Sequence, residues 1–192
     1  SGIVFFLTRN GLVSIIFSVG LRGGIMQIDI SDILKDNGKS MDFECCEVIG
    51  GLNKNYEGLV FDRPVYFDGR LNNIDGIIKL DGRLKTGYTV ECFRCLERIE
   101  RSVDILVNEQ YVKESDESFD DYTYNGEILS LNQVVIDSIF LSLPMKFVCS
   151  EKCKGLCSVC GANLNIENCG CEKETINEKM EVLKDFFKDK TN

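Results

Sequence analysis

The stretch IIKLDGRLKTGYTVECFRCLERIERSVDILVNEQYV, residues 77–112, alternates apolar and polar side chains on both sides of a C-x-x-C pair. Period-2 alternation marks a half-buried β-strand, because successive side chains leave opposite faces of a sheet. The first half reads as two strands around a turn at Asp81-Gly82 or Thr86-Gly87, and residues 99–112 as another. Working outward, DFECCEVI (42–49) makes a short strand. GLVFDRPVYF (58–67) makes a second, with Pro64 confining it to an edge or a bulge. Asp68-Gly69 is a turn signal before RLNNI resumes the strand. Strands spaced by glycine turns predict an α+β protein with an antiparallel β-rich body, either an open sheet or a small barrel.

Ten cysteines and no histidine define the chemistry. Six cysteines fall in VCSEKCKGLCSVCGANLNIENCGC, residues 148–171, and two more form CFRC, Cys92 and Cys95. Cys157 and Cys160 form a C-x-x-C followed by Gly161, and Cys169 and Cys171 a C-x-C. Together they supply four thiolates, enough for a closed tetrahedral zinc site, with Leu164 and Ile166 between them as a small apolar floor. Cys92, Cys95, Cys149 and Cys153 remain for a second site, which would pin the C-terminal segment to the middle of the chain. The alternative partition gives the six C-terminal cysteines to one site plus spares and leaves CFRC alone. Cys45 and Cys46 are adjacent and read as ordinary small residues of a strand. Disulfides are a rival reading, but clustered C-x-x-C and C-x-C pairs with glycine suit a metal better. A dithiol redox role for CFRC would need a βαβ setting, whereas LERIERSVDILV follows it.

Residues 3–21 are largely apolar, yet Arg9, Asn10 and Gly11 interrupt the run, and no early charge or A-x-A site marks a signal peptide. Arg9 would be expensive in a membrane span. MQIDISDILK, from Met26, reads as a natural start, a short strand and then Ser31 as helix N-cap. Arg22-Gly23-Gly24 can be encoded by purine-rich codons like a ribosome-binding site, so residues 1–25 are expected to be translated upstream sequence outside the fold. Residues 26–148 then form the β-rich domain. Within it, 114–127 is an acidic loop, because like charges repel and little apolar surface can be buried there. LNQVVIDSIFLSLP, residues 131–144, spaces Leu131, Val134, Val135, Ile139, Leu141 and Leu143 as a helix packed on the sheet, stopped at Pro144. Residues 149–192 carry the zinc knuckle and a terminal amphipathic helix, 177–190, docked on the body.

Charge limits the partners. The chain carries 22 Lys/Arg against 31 Asp/Glu, so broad electrostatic binding to nucleic acid is disfavoured. One segment, with Arg70, Lys79, Arg83, Lys85, Arg94, Arg98 and Arg101, is locally basic, and alternating charges on a solvated sheet face explain it best. No phosphate-binding glycine loop of the P-loop type is present, and the absence of histidine removes the commonest general base. Structural metal in a non-enzyme fits these features. A zinc-dependent RNA-processing enzyme would need an open metal position and a Glu or Asp base.

LSLPMKFVCSEKCKGLCSVCGANLNIENCGC resembles the C-terminal signature of the YceD-like family of large ribosomal RNA subunit accumulation proteins of bacteria and plastids. MQIDISDIL, RPVYFDGRL, IKLDGRLKTGYTVECFRCLERIE and GEILSLNQVVIDSIFLSLP agree with it, so the resemblance covers residues 26–190. It implies a cytoplasmic role in accumulation or processing of the 23S ribosomal RNA precursor and in large-subunit assembly. The implied partner is that RNA or a large-subunit ribosomal protein, with no membrane and no small-molecule substrate. No enzymatic activity is implied. The alternatives are the zinc-dependent RNA-processing enzyme and, behind it, the C-x-x-C dithiol protein.

Overall fold

The computed structural model describes residues 26–49, 52, 58–116 and 122–172 in full, and residues 2–8 and 11–17 as backbone. Nine strands, two helices and a 3-10 turn are described. The chain divides into two compact units. One is a sheet body, Ser1–Glu91 with Arg98–Phe147, and the other a cysteine unit, Cys92–Glu97 with Val148–Asn192.

The body is built on a five-stranded sheet in which β4 (Ser40–Glu47), β5 (Val65–Ile74), β6 (Ile77–Glu91), β7 (Arg98–Lys113) and β8 (Tyr122–Tyr124) lie in sequence order. All neighbours are antiparallel except β7 and β8. The sheet is open and does not close into a barrel, which corrects that option. A second sheet takes β1 (Gly2–Thr8), β2 (Gly11–Phe17), β3 (Met26–Asp29) and β9 (Ile128–Ser130) in that order. Of residues 1–25, expected to stand outside the fold, 1, 9–10 and 18–25 lie outside the described residues, and the backbone of 2–8 and 11–17 pairs through β2 with β3.

Residues 77–91 form one strand, not two with a turn at Asp81-Gly82 or Thr86-Gly87. The reason is phase. Ile78, Leu80, Leu84, Thr86, Tyr88 and Val90 are all buried and all even-numbered, so the pleat runs on without a reset. Gly82 lies opposite Gly69 across the β5–β6 ladder, and Asp68-Gly69 is likewise inside a strand rather than at a turn. A Cβ on Gly69 would press on the Asp81 carbonyl and come within 2.6 Å of Gly82 Cα; one on Gly82 would lie 2.7 Å from the Phe67 ring. These glycines serve close approach, not chain reversal. The reversal comes at Asp75-Gly76, where Asp75 (φ 53°) and Gly76 (φ 86°) are left-handed.

The apolar core gathers Phe43, Phe67, Leu71, Ile78, Leu80, Leu84 and Val107 from the large sheet with Ile28, Ile30, Ile33 and Leu129. Phe43 and Phe67 meet edge to face at 5.1 Å. Helix α2 (Asn132–Ser142) buries Val134, Val135 and Ile139. Leu143, ahead of Pro144, is extended (φ −71°, ψ 141°), as the proline requires. Leu141 is exposed, because it sits about 200° around the helix from Ile139. Helix α1 (Ser31–Leu34) starts one residue earlier than expected. Ser31 is its first helical residue, and the Asp29 carboxylate accepts the Ser31 N–H at 2.9 Å.

The segment 58–64 is not a strand, apart from the Val60 bridge to Thr89. The acidic 114–127 segment is also not loop throughout. Tyr122–Tyr124 forms β8, Tyr124 is buried, and its hydroxyl donates to the Gly76 carbonyl at 2.7 Å. Residues 117–121 and the expected helix at 177–190 lie outside the described residues.

The solvent face of the large sheet carries paired charges. Arg70 makes a two-pronged bond to Asp42 (2.6 and 3.1 Å) and Arg83 to Asp104 (2.6 and 2.9 Å). Each arginine holds its carboxylate partner below the ordinary range. Two arginines of the basic segment are therefore paired with neighbouring carboxylates on this face, and Arg94 lies in the Cys92–Glu97 knuckle instead.

Candidate metal centres

The cysteine unit begins as the connection between β6 and β7. There Cys92–Glu97 folds into a knuckle in which Cys92 N–H donates to the Glu97 carbonyl at 2.9 Å and Leu96 N–H to the Cys92 carbonyl at 2.9 Å. The same turn recurs sixty-five residues later. Cys157 N–H donates to the Ala162 carbonyl at 2.8 Å and Gly161 N–H to the Cys157 carbonyl at 2.9 Å. In both, the residue after the second cysteine is left-handed, Leu96 at φ 60° and Gly161 at φ 75°. The turn lifts two sulfurs to the same side, which is why a C-x-x-C can chelate.

The structure brings the eight predicted cysteines into two sets of four. Cys92, Cys95, Cys149 and Cys153 form one set and Cys157, Cys160, Cys169 and Cys171 the other, with the sulfurs of each set within 4.8 Å of one another. In the first set Cys92 Sγ lies 3.9 Å from Cys153 Sγ, and Cys95 Sγ 3.7 Å from Cys149 Sγ. Four thiolates at a zinc–sulfur distance of about 2.3 Å around one ion would be about 3.8 Å apart, so the spacing fits a tetrahedral centre. It is far beyond a disulfide bond of about 2.05 Å, and all ten cysteines are free. Cys45 is buried in the core and Cys46 exposed on the opposite face, so neither joins a set.

The donor set and its surroundings suit a soft divalent cation. Burial alone would push the Cys92 thiol up, but the backbone N–H groups of Arg94, Cys95 and Cys149 bring it down to about 6. Cys149 N–H lies 3.3 Å from the Cys92 sulfur. The Cys160 and Val159 N–H groups, with the Cys169 thiol, lower Cys157 to about 6. Other members move the opposite way. Against the pull of the Glu97 N–H, burial and the neighbouring thiols drive Cys95 to about 12. The Cys160 thiol and burial drive Cys171 to about 12. One thiolate in each set thus opposes the next, and a cation would remove that opposition.

The sets differ in setting. Cys92, Cys95 and Cys153 are buried under Val148 and Leu156, whereas Cys160 is exposed and Cys169 and Cys171 are half-buried. Ile166, expected in an apolar floor, is 77% exposed. Three supporting residues carried no sequence signal beyond turn propensity. Arg94 donates to the carbonyls of Glu151 (3.1 Å) and Cys153 (3.0 Å). Gly155 is left-handed at φ 74°, and a Cβ there would meet the Arg94 carbonyl at 2.9 Å. Asn165 donates from Nδ2 to the Cys153 sulfur at 3.3 Å.

An open, mostly antiparallel sheet protein in which the connection between β6 and β7 supplies half of a four-cysteine cluster is the class that fold and site define. Residues 80–187 match the family described as Large ribosomal RNA subunit accumulation protein YceD, and the chain belongs to that family. It is 27% identical over 159 residues to the chloroplastic Large ribosomal RNA subunit accumulation protein YCED homolog 1 of Zea mays, covering 65% of this chain and 54% of the relative. The Arabidopsis thaliana protein of the same description is 26% identical over 129 residues, covering 50% and 40%. An uncharacterized protein of Mycobacterium leprae is 26% identical over 111 residues, covering 54% and 51%. The chain thus spans about half the length of the relatives it matches. No solved structure matches it.

Proposed function

We propose that this chain is a non-enzymatic factor for accumulation and processing of the 23S ribosomal RNA precursor and for large-subunit assembly, acting in the cytoplasm. In this reading one structural zinc is held by Cys92, Cys95, Cys149 and Cys153 and another by Cys157, Cys160, Cys169 and Cys171. The observation that carries it is the pair of four-sulfur sets. Four thiolates complete a tetrahedral zinc shell and leave no position for an activated water, so such a centre braces the fold and performs no hydrolysis. When bound, zinc would supply a crosslink between the β6–β7 knuckle and the segment that follows α2. The chain's own groups prepare it: the N–H donors around Cys92 and Cys157 stabilise thiolate, and Gly155 lets residues 153–157 close on the Arg94 carbonyl.

The family description and the names of the plant relatives support the ribosomal side of the reading. No helix among the described residues is long and apolar enough to cross a membrane. The partner is the RNA precursor or a basic large-subunit protein, and the formal charge of −9 favours a small or protein-mediated contact over broad RNA binding.

Incubating purified, zinc-loaded protein with precursor RNA tests the proposal. The RNA should survive intact with or without metal, with two zinc ions per chain by elemental analysis. Cleavage that depends on the metal would overturn the non-enzymatic part. Binding that weakens steeply with salt marks direct RNA contact, and a flat response marks a protein partner.

A further inference from the structure

The turn between Cys160 and Cys169 folds back onto the other sulfur set. Asn165 Oδ1 accepts the Lys154 N–H at 2.8 Å, while Asn165 Nδ2 donates to the Cys153 sulfur at 3.3 Å. Asn163 Oδ1 accepts from both the backbone N–H (3.0 Å) and the Nδ2 (2.9 Å) of Asn165. Asn163 Nδ2 in turn donates to Glu97 at 3.2 Å. Leu164 N–H donates to the Gly155 carbonyl at 2.9 Å. A residue lying between two ligands of one cluster therefore supports a ligand of the other.

The supporting loop is held by turns and polar bonds, among them Ile166 and Glu167 N–H donating to the Asn163 carbonyl at 3.0 and 3.1 Å. Residues 157–171 contain no strand or helix, only turns and a single bridge from Leu156 to Asn163. Its two ends carry the pairs Cys157–Cys160 and Cys169–Cys171, so a metal held by all four would fix the span between them. Hydrogen-bond partners of metal ligands change metal affinity by about 10–100-fold, because they orient the ligand and share its charge.

We propose that Asn165 is a positioning residue that couples the two metal sites. Metal bound by Cys157, Cys160, Cys169 and Cys171 shapes the loop that aims Asn165 at Cys153, and so tightens metal at Cys92, Cys95, Cys149 and Cys153. By linkage the effect runs equally in both directions. The inference rests on the metal reading proposed above.

The test is chelator competition for zinc at the Cys92 set of the full chain. It compares wild type, Asn165→Asp, Asn165→Ala, a variant with Cys157, Cys160, Cys169 and Cys171 all replaced by Ser, and that variant combined with Asn165→Ala. Asn165→Asp keeps the acceptor for Lys154 N–H and removes the donor to sulfur, while Asn165→Ala adds no charge. Each Asn165 substitution and the four-serine variant should weaken the Cys92 set by about tenfold or more. The combined variant should be no weaker than the four-serine variant. With Co2+ in place of zinc, the sulfur-to-metal charge-transfer band of the Cys92 set should shift alike in Asn165→Ala and the four-serine variant. Two zinc ions with additive losses, or an unchanged affinity and band in Asn165→Ala, overturn the coupling and leave the metal reading standing. A wild-type chain that retains no zinc overturns both.

Discussion

The sheet body and the cysteine unit are held by different physics. The body buries a continuous apolar core, with Phe67, Leu71, Ile78, Leu80 and Leu84 fully inaccessible. The cysteine unit buries three cysteines under Val148 and Leu156. Among its described residues the structure is two knuckles and short turns. A segment with so little apolar cover cannot offset the conformational entropy of ordering its backbone, about 1–2 kcal/mol per residue. The body can fold by hydrophobic burial, whereas the described residues of the cysteine unit gather around sulfur.

The largest expected effect follows from that contrast. Structural zinc in small units contributes on the order of 10 kcal/mol to folding. Chelation should make residues 148–172 protease-sensitive first, with the body intact, as read by mass spectrometry of limited digests. Unchanged resistance after verified metal removal would remove the contrast. Cys92→Ser with Cys95→Ser should open residues 92–97 and 148–156 without chelator, since both sulfurs of the β6–β7 knuckle are then gone, while the Cys157, Cys160, Cys169 and Cys171 set keeps its ligands.

Within the body, the effects are smaller and of another kind. Asn73 is buried at 3% exposure. Its Nδ2 donates to the Ile33 carbonyl at 2.8 Å, and its Oδ1 accepts the Gly76 N–H at 2.9 Å. Asn73→Ala strips these and the longer Nδ2 bond to the Asp36 carbonyl (3.3 Å), and should destabilise the body by about 1–3 kcal/mol in urea, with metal content unchanged. Gly82→Ala should cost about 1–3 kcal/mol by overpacking against the Phe67 ring. If either released metal, the two units would share one cooperative transition.

Much of this contrast is legible in the sequence. The spacing of Cys157, Cys160, Cys169 and Cys171 points to one set and leaves Cys92, Cys95, Cys149 and Cys153 as candidates for another, beside a partition with one C-terminal site plus spares; the structure has the two sets of four. Which four sulfurs converge is a long-range fact, with Cys92 and Cys153 61 positions apart, so no local pattern encodes it. The strands at 40–47 and 98–113 lie close to the expected 42–49 and 99–112, whereas the sequence reading breaks 65–74 at Asp68-Gly69 and starts it at 58. The glycines misled, because Gly69, Gly82 and Gly87 carry turn propensity locally yet occupy ladder positions where backbones or Arg63 pass close. The even-numbered apolar phase from Ile78 to Val90 was the stronger signal. Tyr122 and Tyr124 sit in an acidic segment whose composition reads as solvated. The ring contact of Tyr122 with Tyr111 at 5.6 Å is a tertiary gain that composition does not register. Asn165 shows the same limit, since its polarity marks a turn but not the sulfur at which it points.

The smallest effect concerns the two knuckles themselves. Leu96 occupies the left-handed position that Gly161 fills in the second knuckle, and it remains 59% exposed. A left-handed non-glycine residue costs roughly 1–2 kcal/mol. Leu96→Gly relieves that strain, loses little burial, and adds about 0.5–1 kcal/mol of unfolded-chain entropy to be overcome. The net should be a stabilisation of about 0.5–1 kcal/mol in the free energy of metal-loaded unfolding. The reciprocal change, Gly161→Leu, meets nothing within 4 Å at its Cβ, so its effect is conformational alone and should destabilise by a similar amount. Opposite signs for the two swaps would establish that the knuckles are one turn used twice. A loss of stability in Leu96→Gly would instead mean that the leucine side chain contributes more than its exposure suggests, and the strain at φ 60° would then mark a contact surface rather than a tolerated cost.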